Sequence, residues 1–70
     1  MPEEVSILGA LCVEIQRLED AATWYQNLTE VVIAMGREDA AIEINHAIGS
    51  VHAAHDYLTA ALLNLKGKHQ

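Results

Sequence analysis

The chain has 70 residues and a formal net charge of −6 at pH 7, and 51% of its residues are hydrophobic. This length allows one small domain, which buries a smaller fraction of its surface than a larger domain does. The acidic balance disfavours nucleic acid as a partner, because a negatively charged surface repels a phosphate backbone.

The first predicted element is a long amphipathic helix over about residues 3–35. Pro2 suits its first turn, where the missing N–H removes no hydrogen bond. Gly36 fits the left-handed position that ends many helices. Apolar side chains recur along the segment at alternating spacings of three and four residues, which is the pattern of one helix face. This first stripe consists of Leu8, Leu11, Ile15, Leu18, Ala22, Tyr25 and Val32, with Thr29 at one position.

The second predicted element is a helix over about residues 40–66. Asp39 is the expected N-cap, and Gly67 is the expected stop, with Lys66 suited to the negative end of the helix dipole. The apolar spacing is the same as in the first helix. The second stripe consists of Ala41, Ile44, Ile48, Val51, His55, Leu58, Leu62 and Leu65.

The two stripes are out of phase with each other. Continuing the first stripe past residue 35 would place polar or small residues on the apolar face, namely Gly36, Asp39, Glu43, His46 and Ser50. One continuous helix is therefore excluded, and the chain is expected to turn back at about residues 36–39. The predicted fold is all-α, a single domain over residues 1–70 that forms an antiparallel two-helix hairpin.

Large apolar side chains remain outside both stripes. Two helices cannot shield each other on all sides, so these residues predict self-association into a homodimer or larger, with two hairpins forming a four-helix bundle. Off-stripe residues of this kind are Val13, Trp24, Val31, Ile42 and Leu63. The predicted oligomer core comprises Leu11, Ile15, Leu18, Ile48, Val51, His55, Leu58 and Leu62. An alanine every seven residues in the second helix predicts close helix packing, at Ala40, Ala47, Ala54 and Ala61.

Histidines raise the alternative of a metal site. Glu43 and His46 have the Glu-x-x-His spacing of di-iron bundles, but they fall on the side opposite the apolar stripe. The remaining candidates for a metal site are His52, His55 and Asp56. Because this ligand set is incomplete, the expectation is no bound metal and no cofactor.

A few residues resemble the ferritin-like hairpins of encapsulated compartments. The similar segments are Trp24-Tyr25-Gln26, which follows Glu19, and His52-Ala53-Ala54 in the second helix. That family dimerises and holds iron between hairpins with a glutamate from helix one and a Glu-x-x-His on helix two. The resemblance implies a metal-binding half-bundle that uses some of Glu19, His46, His52, His55 and Asp56. Gly49 stands where the family has the glutamate of its motif, so the site is not reproduced.

His55 also has a structural interpretation. In an antiparallel hairpin it should face Leu18, Glu19 and Ala22, and its hydrogen bond should go to Glu19, to the backbone or to water. A polar residue at one stripe position also sets helix register and partner number.

The preferred functional hypothesis is a small acidic protein-interaction module, an adaptor, regulator or inhibitor that acts as a homo-oligomer. Its predicted partner-binding residues are Trp24, Glu19, Asp20 and Glu30, and a basic protein surface is the expected partner. A metal-binding half-bundle is the first alternative. An RNA-binding hairpin dimer is the second, although the basic residues available to it are few, at Arg17, Arg37, Lys66 and Lys68. No nucleophile–base pair and no Gly-rich phosphate loop is evident, so no enzyme activity is expected.

The sequence favours a cytoplasmic location. Cys12 is the only cysteine, so no disulfide can form within the chain, which suits a reducing compartment. The opening residues lack the basic start of a signal peptide, and the apolar stretch 5–13 is too short to cross a bilayer. No membrane association is expected.

Overall fold

The computed structural model describes the backbone of residues 2–67 and the side chains of residues 6–67, which form a helical hairpin. Helix α1 spans Pro2–Ala34 and helix α2 spans Glu38–Gly67. The two helices pack against each other, and the Cα atoms extend over 53 × 15 × 12 Å. The predicted all-α hairpin is confirmed. Helix α2 begins two residues earlier than predicted.

The contact between the helices is made by the two predicted stripes. Each stripe residue named from the sequence is half-buried or buried, and so are the four regularly spaced alanines of α2. Among the side chains of residues 6–67, only Ala41 is buried, at 5% exposed. We call this contact the seam. It covers one side of each helix and leaves the other sides open.

The turn between the helices depends on Gly36. Its φ of 78° lies in the left-handed region, which a residue without Cβ adopts at little cost. The Gly36 N–H donates to the Ile33 carbonyl and the Arg37 N–H donates to the Val32 carbonyl, both at 2.9 Å. This pair of hydrogen bonds is the Schellman motif, which satisfies carbonyls at the end of a helix. The predicted role of Gly36 as a helix stop is confirmed.

The predicted N-cap of α2 was wrong. The first hydrogen bond of the helix runs from the Ala41 N–H to the Arg37 carbonyl at 3.2 Å, so Arg37 is the N-cap and Asp39 lies in the first turn. The Asp39 carboxylate instead accepts two hydrogen bonds from the Arg37 guanidinium, at 3.0 and 3.1 Å. This pairing lowers the pKa of Asp39 and raises the pKa of Arg37.

Neither helix, over residues 2–67, has an apolar stretch long enough to cross a membrane.

We predict opposite effects for alanine at two exposed glycines. Gly36→Ala should destabilise the protein by about 1–2 kcal/mol, because the backbone of an alanine is strained at positive φ. The strain would come from the backbone alone, since the added Cβ would have open space around it. Gly49→Ala should stabilise by about 1 kcal/mol, because Gly49 lies within α2 and alanine is the better helix former. Urea unfolding at one fixed protein concentration measures both changes. A Gly36→Ala protein as stable as the wild type would contradict the assigned turn.

Candidate functional site

The hairpin has two broad faces, one on each side of the seam. In antiparallel helices with a seven-residue repeat, the positions that flank the seam on one side of α1 lie beside the equivalent positions of α2. On one side these positions line two adjoining grooves, with volumes of about 310 and 370 Å³. We call this side the groove face. Its lining residues are Leu18, Glu19, Ala22, Thr23, Gln26, Thr29, Glu30, Asn45, Ile48, Val51, His52 and His55.

His55 joins the two helices on the groove face. Its Nε2 lies 3.0 Å from Glu19 Oε2, and its Nδ1 lies 3.6 Å from Asp56 Oδ1. The His55 side chain is 28% exposed, whereas that of Glu19 is 53% exposed. The predicted contact between His55 and Glu19 is therefore present. This contact gives the polar residue of the seam a hydrogen-bond partner. It also fixes the axial position of α1 relative to α2 at this point.

The carboxylates beside His55 favour its charged form. The hydrogen bond to Glu19 raises the pKa of His55 above its ordinary value of 6.5. Partial burial acts in the opposite direction, and Asp56 adds to the increase. When His55 is charged, its imidazolium lies beside two carboxylates, so its contact with Glu19 is the main electrostatic interaction across the seam.

The candidate metal ligands are only partly brought together. His52 and His55 line the same groove, and Asp56 lies beside His55. Over the part of the chain that the structure describes, no group of three or more His, Cys, Asp or Glu side chains is arranged to hold a metal ion. Glu43 and His46 are exposed and line neither groove.

The predicted partner-binding residues are distributed over more than one surface. Glu19 and Glu30 line the grooves, and together with Asp56 they make the groove face acidic. Asp20 and Trp24 line neither groove. Trp24 is 60% exposed and belongs to the opposite side of the hairpin.

On the face opposite the grooves, most of the large apolar side chains belong to α1 and most of the small ones belong to α2. We call it the tryptophan face. Sequence reasoning identified Trp24 and Val31 as outside the seam but missed Ile7, Met35 and Tyr57, all more than half exposed. A second repeat of three and four residues, running beside the first stripe, would have revealed the α1 members. The tryptophan face comprises Ile7, Ala21, Trp24, Leu28, Val31, Met35, Ala47, Ala54, Tyr57 and Ala61.

The arginines are engaged with neighbouring carboxylates. Arg17 lies 3.2 Å from Glu14, and Arg37 lies 3.0 Å from Asp39. Both pairs are exposed, so each contributes little to stability. They do, however, neutralise the positive charge that an RNA-binding surface would need, and the described part of α2 ends with Lys66 alone in its last turn.

Comparisons with known proteins found no relative. No family model matches the chain, and neither a curated protein nor a solved structure matches it.

We predict that the tie between His55 and Glu19 makes stability depend on pH. Because the folded-state pKa of His55 is raised, its contribution is fully present below pH 6.5 and is lost as pH rises through the folded-state value. His55→Gln should therefore destabilise the protein more at pH 5.5 than at pH 8.5. Urea unfolding at both pH values measures this, with the exposed His46→Gln as the matched control.

The double variant Glu19→Gln/His55→Gln tests the assigned partner. The extra loss at pH 5.5 should be largely absent when His55→Gln is made in a Glu19→Gln background. An equal loss in both backgrounds would show that Glu19 does not stabilise the charged imidazole.

Proposed function

We propose that this protein is a small acidic protein-interaction module that acts in the cytoplasm as a homo-oligomer of hairpins. The observation that carries the proposal is the amount of surface that the hairpin leaves open. The chain exposes 5291 Å². A compact monomer of 7.7 kDa is expected to expose about 4,300 Å².

The excess surface matches what an interface covers. It amounts to about 1,000 Å² per chain, and a standard protein–protein interface buries about 800 Å² per partner. Much of the open surface is apolar, since the exposed large hydrophobic residues include Trp24, Val31, Met35 and Tyr57. Association of two hairpins into a four-helix bundle would remove this area from water.

The groove face supports a second contact, with a basic protein surface. Glu19, Glu30 and Asp56 lie along it, and of the two imidazoles in the groove, that of His55 contacts two of these carboxylates. Long-range attraction between an acidic groove and a basic segment speeds association and weakens as salt is added.

The hydroxyl groups give no support to a catalytic role. Thr23, Thr29, Ser50 and Thr59 each donate to the backbone carbonyl four residues earlier, at 2.8–3.3 Å. Such bonds satisfy the hydroxyl proton within its own helix, so it is not donated to a base. We therefore propose binding, and no catalysis, for this protein.

We predict that the carboxylates of the grooves control partner capture. Immobilised wild-type protein should retain a specific protein from lysate at 50 mM salt and release it at 500 mM salt. Glu19→Gln/Glu30→Gln should lose most of this protein, as measured by quantitative mass spectrometry. The control Glu38→Gln/Glu43→Gln removes the same charge outside the grooves and should retain it.

Two results would contradict the proposal. If both double variants lose the captured protein to the same extent, capture depends on net charge alone and not on the carboxylates of the grooves. A protein retained equally by the wild type and by Glu19→Gln/Glu30→Gln would exclude the groove carboxylates from recognition.

A further inference from the structure

We propose that a second copy of this chain docks on the tryptophan face, with α1 of each hairpin lying on α2 of its partner. This inference rests on the proposed homo-oligomer and specifies its interface. It follows from five properties of the face: its apolarity, the extension of the hairpin interior toward it, its charge, its shape and its area.

Between the middle of the hairpin and the turn, the tryptophan face is more apolar than the groove face. Trp24 and Val31 are 60% and 54% exposed in this half of α1. The groove face of the same half presents Gln26, Glu30 and Asn45. Covering the tryptophan face therefore removes more apolar area from water for the same loss of polar hydration.

The helices are already rotated toward the tryptophan face. Of the positions that flank the seam, Leu28 and Ala54 on the tryptophan side are half-buried. Their counterparts on the groove side, Gln26 and His52, are exposed. The interior of the hairpin thus extends toward the tryptophan face, and a second hairpin placed there would enlarge the same core.

Charge also selects this face for a second copy. Two groove faces in contact would bring Glu19, Glu30 and Asp56 of one copy close to the same carboxylates of the other. Like charges brought together in this way oppose association. On the tryptophan side, Glu14 and Arg17 neutralise each other at 3.2 Å, and a further carboxylate there is that of Glu43, three positions after Ala40. A chain with a net charge of −6 can therefore approach another copy more easily by this side.

The shape of the face is self-complementary. Five of its six large side chains lie in α1 or directly after it, Tyr57 being the exception, and three of its four alanines recur along α2. A two-fold axis along the length of the hairpin places α1 of one copy over α2 of the other, so that large side chains meet small ones in both halves. The same axis makes every neighbouring helix pair antiparallel, as in a four-helix bundle.

The area is sufficient for a stable dimer. The hairpin is 53 Å long and two helices wide, at about 9 Å for each helix. One face therefore has a projected area of about 950 Å², which agrees with the excess surface of about 1,000 Å² and with a standard interface.

Val31 and Ile33 offer a matched test of the face. They are β-branched residues two positions apart in α1, at 54% and 51% exposed, and they lie on opposite sides of the hairpin. Because both side chains are exposed within one chain, glutamate at either position should leave the hairpin folded. Val31→Glu should raise the dimer dissociation constant by roughly 30-fold or more, because it places a carboxylate in the interface at the height of the partner's Glu43. Ile33→Glu should change it by less than about 3-fold.

Sedimentation equilibrium of wild type and both variants measures these constants, and circular dichroism checks the helix content. Trp24 is the only tryptophan, so its emission provides a second measurement. On dilution of the wild type, this emission should shift to longer wavelength as the dimer separates. A larger effect of Ile33→Glu, or no effect of either variant, would overturn the assigned face and leave the homo-oligomer standing. A wild-type protein that stays monomeric across these concentrations would overturn the homo-oligomer as well.

Discussion

Two packed helices can cover only one side of each other, and the rest of this structure follows from that constraint. The seam gathers the two predicted stripes, yet Ala41 is the only buried residue among the described side chains. The other seam residues keep part of their surface in water. Hydrophobic stabilisation scales with the area removed from water, so a half-covered seam stabilises a 70-residue chain weakly. A second layer of helices would remove more of this apolar area from water.

His55 shows how a polar residue is accommodated within such a seam. At 28% exposed, its imidazole remains close enough to water to be charged, and it reaches Glu19 on the other helix. A slip of α1 by one turn would move Glu19 by about 5.4 Å and leave the imidazole without this partner. The contact thus contributes more to register than to strength. It also makes register sensitive to pH, because the pKa of His55 is raised by that same carboxylate.

Much of the fold could be predicted because it depends on local rules. Stripe spacing identifies the seam residues, and a glycine at the phase change identifies the turn. The start of α2 could not be predicted, because the Arg37 N–H completes the end of α1 and its guanidinium holds Asp39, two interactions that spacing does not reveal. The separation of Glu19 from Trp24 could not be predicted from residue type, because it depends on their positions around α1, which assign them to opposite faces. Tyr57 lies outside the one apolar stripe that the spacing identifies in α2.

The most direct test of the account is small-angle X-ray scattering from the untagged protein over a concentration series. Face-to-face stacking of two hairpins predicts a mass of twice 7.7 kDa. The radius of gyration should rise only from 16.1 Å to about 17 Å, since the hairpin centres are about 10 Å apart. A mass of 7.7 kDa at every concentration would contradict the need for a second layer. A doubled mass with a radius of gyration of about 30 Å would indicate end-to-end association and contradict docking on a broad face.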